Sequence, residues 1–445
     1  MKEKLDTVSP SFCLAKWKQV SLHLTNGMNN SCYHPPLHKI NVDDIIKDPS
    51  ALHNTAEKAI ARKQMVSGER PSECSYCWAM EDNGELSDRH YRSGEPWAAQ
   101  DFDTIVANPE ASVTPSYVEV NFNHSCNLAC SYCSPQFSST WGVEARKFGA
   151  YPTSTPHNDP AYFAGNRKPI PNREYNPYVE AFWKWWPELY KDLVHFRMTG
   201  GEPLQDKNTY KVFDYVLENP KPDLHLNVTS NLSVDQKLWD KYLGYVKQLT
   251  TGKIEHFMQY VSVDTWGEQA EYIRHGLDFD LLWKRVDQYL TEVPEYCSIT
   301  FIITMNNLSI YSLDKLMEGI LELRKKHSKT YQRVWFDTPV LRTPEWQSLQ
   351  ILPEYYATKL MDIKEFMIDN AETADELYHG FKDYEIQRMS RDIAWMRQGT
   401  DNVEQKKADF YRFFNEADKR HGTNFEETFP ELTHWYRAGR YLANK

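Results

Sequence analysis

Three cysteines stand close together in the run Ser125-Cys126-Asn127-Leu128-Ala129-Cys130-Ser131-Tyr132-Cys133. The C-x3-C-x2-C spacing lets one short loop wrap a cubane iron–sulfur cluster, with a thiolate on each of three irons and the fourth iron left without a protein ligand. An open metal position is where a catalytic metal takes a substrate or cofactor. The alternative is a structural zinc, which needs a fourth ligand such as His124. The strand-like stretch Tyr117 to Phe122 runs straight into this loop, and a closed zinc site seldom opens on a strand end.

Four more thiols fall in the first hundred residues. Cys13 is followed by thirteen residues, Gly27, four residues and Cys32, and then by Cys74 and Cys77 in Glu73-Cys74-Ser75-Tyr76-Cys77-Trp78. Four thiols suffice to close a cluster or a zinc site, and the C-x2-C pair supplies a bidentate corner. Seven of the eight cysteines thus have a metal-type arrangement, which argues against a disulfide framework. Cys297, in Pro294-Glu295-Tyr296-Cys297, is left over and reads as a packed structural thiol ahead of a strand.

Further groups suited to ligand binding follow strand-like stretches. Leu193 to Met198 leads into Thr199-Gly200-Gly201-Glu202-Pro203, where two glycines let the backbone approach a ligand and Glu202 adds a charge suited to an ammonium group. By itself this is also an ordinary turn with a helix-starting acid. His225-Leu226-Asn227-Val228 ends in the small polar residues Thr229, Ser230 and Asn231. Phe257 to Val263 carries Ser262 and Asp264 at its end, and Arg274 follows in Tyr272-Ile273-Arg274-His275-Gly276. A guanidinium suits a carboxylate because it is always charged and presents paired donors, although a surface ion pair with Glu268 or Glu271 would also account for it. Asp264 could cap a helix, bind ribose or face a substrate.

The elements that must position these groups alternate. Strands at about 117–123, 193–199, 224–229, 257–263, 298–305 and 332–338 are interleaved with helical patterns at 206–218, 234–249, 280–292 and 311–326. The alternation predicts parallel β/α units, with the motif residues at the C-terminal strand ends, where barrel enzymes place their chemistry.

The three-cysteine loop with its aromatic residue before the last Cys resembles the radical SAM superfamily. Gly200, Gly201 and Glu202 are similar to that family's GGE motif, and Ser262 with Arg274 to its cofactor-carboxylate pair. The resemblance implies an α/β fold built as a partial (β/α)6 TIM-type barrel, with an N-terminal cysteine-rich module and a C-terminal helical region. It implies a [4Fe-4S] cluster on Cys126, Cys130 and Cys133, with Tyr132 beside adenine. Glu202, Ser262 and Arg274 would then hold the methionine part of S-adenosylmethionine, with Thr229, Ser230, Asn231 and Asp264 as further cofactor-facing positions. Reductive cleavage to a 5'-deoxyadenosyl radical would follow, then hydrogen abstraction. The spacing of Cys13, Gly27, Cys32, Cys74 and Cys77 resembles the SPASM or twitch modules that hold an auxiliary [4Fe-4S] cluster, although those usually follow the barrel and this one precedes it. An auxiliary cluster favours net oxidation of a peptide, a protein or a small molecule, served by an electron donor such as a flavodoxin or ferredoxin. The alternatives are a non-catalytic iron–sulfur scaffold or electron-transfer protein, and a one-cluster enzyme with a structural zinc module.

A chain of 445 residues predicts two or three domains: residues 1–112, 113–345 and 346–445. No eighteen-residue apolar run and no signal-peptide core are seen, so the expectation is a soluble cytoplasmic protein. A net charge of −11 argues against a nucleic-acid partner held by phosphate neutralisation. The connection Ser134 to Pro177, rich in Pro, Asn, Ser and Gly, reads as a lid or as an insertion packed on the N-terminal module. The last hundred residues carry helical patterns starting near residue 353, over Ile386 to Met396 and over Asp409 to Asp418. They could close the barrel's open side or bind a partner.

Overall fold

The computed structural model describes residues 1–445, the side chain of residue 166 excepted. In chain order the strands are β1 (Gln19–His23), β2 (Met28–Asn30), β3 (His38–Lys39), β4 (Tyr117–Asn121), β5 (Ala129–Cys130), β6 (His195–Thr199), β7 (Lys221–Ser230), β8 (Ile254–Ser262), β9 (Arg274–His275), β10 (Ser298–Ile302) and β11 (Val334–Asp337). The six strands expected from sequence are β4, β6, β7, β8, β10 and β11. Helices Lys207–Glu218, Gln236–Leu249, Phe279–Glu292 and Leu313–His327 follow β6, β7, β8 and β10. The fold is α/β with mostly parallel pairing. The chain forms two compact units: residues 1–124 with 165–228, and residues 125–164 with 229–445.

In the first unit β1, β4, β6 and β7 are parallel neighbours, and β2 and β3 extend the edge antiparallel. β1 lies outside the sequence expectation. The N-terminal segment contributes it to the parallel sheet, in register from Gln19 opposite Tyr117 to His23 opposite Asn121. Alternation divides the sheet by chemistry. Val20, Leu22, Val118, Val120, Phe196, Met198, Leu226 and Val228 are buried on one face. Register places Gln19, Tyr117, His195 and His225 in one row of the other face, and Ser21, Glu119, Arg197 and Asn227 in the next. Arg197 pairs with Glu119 at 3.5 Å. On the apolar face, helix Pro177–Asp192, capped by Asn176, packs Trp186 on Phe196 with ring centroids 4.9 Å apart.

The β1–β2 hairpin turns at Gly27, with φ +66°. A Cβ there would lie 2.0 Å from the Tyr178 ring, so both the dihedral and the space require glycine.

In the second unit β8, β10 and β11 are parallel, and β5 pairs antiparallel with β9 as a two-residue clip. The C-terminal helices are Ala357–Asp369, Asp383–Arg397, Val403–His421 and Thr433–Ala443; a 3-10 turn, Glu354–Tyr356, precedes the first, near the start expected from sequence. A fully buried ion pair, Arg324–Glu385 at 2.7 Å, ties helix Leu313–His327 to helix Asp383–Arg397.

The long connection after Cys133 is divided. Residues 139–164 lie in the second unit and begin with a helix, Ser139–Phe148, which sequence reasoning read as loop. They pack on helix Val403–His421 through Tyr151 stacked on Phe413 at 4.3 Å, Ser154 N–H donating to Asp409 at 2.8 Å, and Glu144 with His421 at 3.0 Å. From residue 165 the connection belongs to the first unit, where Ile170 N–H donates to Thr25 O at 2.7 Å. Among the described residues no helix is long and apolar enough to cross a membrane.

Candidate functional site

The loop carrying Cys126, Cys130 and Cys133 is held by side chains from several elements of its own unit. Helix Ser139–Phe148 does most of it from its first turn. Ser139 Oγ accepts from Cys126 N–H at 3.1 Å, Thr140 Oγ1 donates to Cys126 O at 2.7 Å, Ser138 Oγ to Leu128 O at 2.7 Å, and Trp141 Nε1 to Cys130 O at 2.9 Å. Ser138 is also the helix N-cap. Gln347 Nε2 donates to Ser131 Oγ at 2.6 Å and Asn158 Nδ2 to Cys133 O at 3.2 Å. These contacts fix the backbone of the loop around its three cysteines, none of which forms a disulfide.

Arg274 and Asp264 come together at this loop. The β5–β9 clip puts Cys130 opposite Arg274. Arg274 Nη1 donates to Cys130 Sγ at 3.6 Å, and Nη2 to Tyr132 OH at 2.6 Å and to Asp264 Oδ1 at 3.0 Å. Tyr132 OH in turn donates to Asp264 Oδ2 at 2.9 Å, and Thr304 N–H donates to Oδ1 at 3.1 Å. Asp264 is fully buried and Arg274 nearly so. Burial opposes the guanidinium charge, yet Asp264, Tyr132 and Cys130 together hold its pKa well above the usual value. Burial drives the Tyr132 phenol upward, so it stays a donor. Burial also raises the Cys130 thiol, with Arg274 opposing, and pushes Cys133 up to about 12. The surface pairing with Glu268 or Glu271 is not made; Glu271 accepts instead from Phe279 N–H. Asp264 does not cap the next helix, whose N-cap is Trp266. One donor stays open: Arg274 Nε is buried with no acceptor.

Asn231 was expected to face a cofactor, and its amide is directed at the thiol loop. Nδ2 lies 3.9 Å from Cys126 Sγ and 3.2 Å from Asn127 Oδ1, while Oδ1 accepts from Ser233 N–H at 2.8 Å. Ser230 Oγ accepts from Leu232 N–H at 2.9 Å, stapling a turn in which Leu232 has φ +53°. Thr229 and Ser230 are the last residues of β7, and Ser262 is the last of β8, where it is partly exposed. In the first unit, Gly200 has φ +118°, and a Cβ on it would meet Asn121 Oδ1 at 2.4 Å. Gly201 N–H donates to Asn123 O at 3.3 Å. Glu202 is buried and accepts from Leu204 N–H at 3.0 Å, capping a 3-10 turn.

No protein-family model matches the sequence. No curated protein is similar to it in sequence. Two solved structures of SuiB from Streptococcus suis resemble this chain, one bound to precursor peptide SuiA and one to S-adenosylmethionine. Each is 12% identical to it, with a TM-score of 0.37, and they cover 80% and 79% of this chain and 68% of their own. A likeness of that size is too small to build upon.

Cys13, Cys32, Cys74 and Cys77 converge on one small cavity of the first unit, which Lys16, Arg89 and Arg92 also line. Apolar packing of Phe12, Leu14, Met65, Trp78 and Trp97 encloses it. Ser93 Oγ donates to Cys13 Sγ at 3.9 Å. Lys16 pairs with Glu73 at 2.5 Å, and Arg89 with Glu81 at 2.9 Å. Burial pushes the Cys32 thiol up to about 12 and Cys74 and Cys77 up to about 11, with Lys16 opposing at Cys32 and Cys74. Cys297 is fully buried, and burial raises it to about 12.

Both donor sets fit metal–thiolate centres by their chemistry: soft sulfur ligands with cationic donors directed at them. Among the described residues, no group of three or more His, Cys, Asp or Glu side chains is arranged to hold a single metal ion. Thiolates on a cubane each bind a different iron and so stand further apart than those around one ion.

Sequence reasoning missed the clasp from helix Ser139–Phe148, Asn231 as a neighbour of Cys126, and the polar sheet face. The last had a signal: Gln19-Val20-Ser21-Leu22-His23, Tyr117-Val118-Glu119-Val120-Asn121 and His195-Phe196-Arg197-Met198-Thr199 all alternate at period two.

Proposed function

We propose that the chain is a radical SAM enzyme: a partial six-stranded β/α barrel over about residues 113–345, with a cysteine-rich module before it and helices after. The observation that carries this reading is the buried network of Arg274, Asp264 and Tyr132 beside Cys130 Sγ. Hydrogen bonds to a ligand sulfur are a lever on cluster potential, and a buried guanidinium here would act on it. Cys126, Cys130 and Cys133 would hold the catalytic [4Fe-4S] cluster. When bound, the cluster and S-adenosylmethionine supply a 5'-deoxyadenosyl radical able to remove a hydrogen atom from a substrate.

The chain's own residues bind, orient and shield. Glu202, at a glycine-opened strand end, offers a carboxylate to the cofactor's ammonium. Arg274 is already engaged by Asp264 and Tyr132, so Nε, with Ser262, is the donor left for the cofactor's carboxylate. Asp264 and Tyr132 keep the guanidinium charged and fixed. The substrate would be a peptide, a protein or a small molecule. Cys13, Cys32, Cys74 and Cys77 would hold a second cluster, which favours net oxidation.

The test is cofactor cleavage without oxygen. Iron-loaded protein with dithionite and S-adenosylmethionine is expected to release 5'-deoxyadenosine, and the Cys130→Ala variant to release none. No 5'-deoxyadenosine from fully loaded protein would defeat the reading.

A further inference from the structure

Lys58 and Arg62 are buried cations with no carboxylate partner, four residues apart on helix Ala56–Val66. Met65, further along the same face, lines the four-thiol cavity. Lys58 Nζ donates to Gln19 O at 2.9 Å and to His53 Nδ1 at 2.8 Å. Arg62 donates from Nε to Lys16 O at 3.2 Å and from Nη1 to Asn54 Oδ1 at 2.9 Å, while Nη2 stands 3.0 Å from His53 Nε2. His53 cannot neutralise either cation. Its Nδ1 accepts from Lys58, so Nε2 carries the proton and donates to Trp17 O at 2.8 Å.

Every hydrogen-bond partner of these two cations is therefore neutral, unlike those of the other buried cations in the unit. Lys16 has Glu73, Lys18 has Asp101 at 2.8 Å and Arg89 has Glu81. Burial lowers Arg62 to about 10, and burial with Arg62 nearby lowers Lys58 well below its usual value. An unpaired buried charge is costly, and an arginine cannot shed its proton to escape the cost. An anion close by would offset it. Lys16, whose carbonyl takes Arg62, itself lines the thiol cavity. The Cys32 sulfur and, more weakly, the Glu73 carboxylate, which is itself paired with Lys16, are near enough to act on Lys58 electrostatically.

We infer that Lys58 and Arg62 are the counter-charge of an anionic iron–sulfur centre at Cys13, Cys32, Cys74 and Cys77, and that they favour its reduced form, poising it to accept an electron. The inference rests on the two-cluster reading above. The step is a one-electron reduction by an external donor, with no bond made or broken; the reduced centre carries one more negative charge and gains more from the fixed cations.

The test is an EPR-monitored redox titration of the full chain carrying Cys126→Ala, Cys130→Ala and Cys133→Ala, so that only the N-terminal centre reports, with dithionite as reductant. Adding Arg62→Gln or Lys58→Met is expected to lower the reduced-to-oxidised ratio at the parent midpoint about tenfold, equivalent to about 59 mV for one electron. Arg62→Lys should stay within about twofold of the parent. Asn54→Asp keeps both cations but gives Arg62 a carboxylate, so it covers the case in which the deletions do not fold; its ratio is expected to fall several-fold. A purely structural staple would leave the potential unmoved. An unchanged midpoint in iron-loaded Arg62→Gln and Asn54→Asp proteins overturns the inference alone. Zinc without iron in the parent overturns the inference together with the two-cluster reading.

Discussion

The two thiol groups are assembled in opposite ways. Cys13, Cys32 and the Cys74–Cys77 pair come from three separated segments, and they meet because Phe12, Leu14, Trp17, Met65 and Trp78 pack into one apolar core around them. Cys126, Cys130 and Cys133 share one loop, and polar contacts from residues 138–141, 158, 231, 274 and 347 fix its path. The first set exists only once its unit has folded. The second is local in sequence and needs the fold for aim rather than assembly. The difference also fits the roles proposed: an enclosed centre stores or passes electrons, whereas a loop of three thiols leaves a metal position for chemistry.

The contrast can be broken first at Arg274. Arg274→Ala leaves the buried Asp264 carboxylate without its ion pair, and it is expected to cost about 3–5 kcal/mol in unfolding free energy, read from denaturant midpoints. Iron at the N-terminal thiols should be retained. Arg274→Lys should recover only part of the loss, because an ammonium cannot replace the fork that reaches Tyr132, Asp264 and Cys130 together.

Gly27→Ala addresses the other region. The left-handed backbone and the overlap with the Tyr178 ring should together cost about 2–3 kcal/mol. Metal analysis should show loss from the N-terminal thiols with the three-cysteine loop still loaded.

Ser138→Ala removes a helix cap and a donor to Leu128 O, for an expected cost of about 1 kcal/mol. Its mark should be faster loss of iron from the three-cysteine loop on exposure to a chelator, with the N-terminal iron unaffected.

A further prediction is a pH dependence in the second unit. Burial lowers His157 to about 4, below its ordinary value of 6.5. Its ring lies 5.4 Å from both Trp346 and Phe413 and 6.4 Å from Trp141, whose indole holds Cys130 O. The native state favours the neutral ring, so this contribution is complete above about pH 6.5 and is lost as pH falls toward 4. A plot of Tm against pH should slope down through that window, and His157→Gln should flatten part of the slope.

The six strands and four helices expected between residues 117 and 338 were legible because their apolar faces repeat at the periods of strand and helix. β1 alternates as clearly as β4, but its short polar–apolar run sits amid cysteine and loop signals. Helix Ser139–Phe148 was hidden by the Ser, Pro and Gly around it, although Ser138 is an ordinary N-cap for it. Cys126, Cys130, Cys133, Glu202 and Arg274 could be singled out because their chemistry and order are local. That Arg274 would turn to Asp264 and Cys130 was not legible, since the β5–β9 clip that brings them together is a tertiary contact. Lys58 and Arg62 were invisible for the same reason: nothing in Ala56–Val66 tells that two of its cations will be buried without an acid.

The central claim is that two separate thiol sets hold two iron–sulfur clusters. It is tested most directly by iron, sulfide and zinc analysis of protein purified without oxygen, in wild type and in the variant with Cys126, Cys130 and Cys133 all changed to Ala. Two four-iron clusters predict about eight irons per chain falling to about four in the variant, with sulfide in parallel and no zinc. About four irons falling to none, with zinc present in both proteins, would contradict it and make the N-terminal thiols a structural staple.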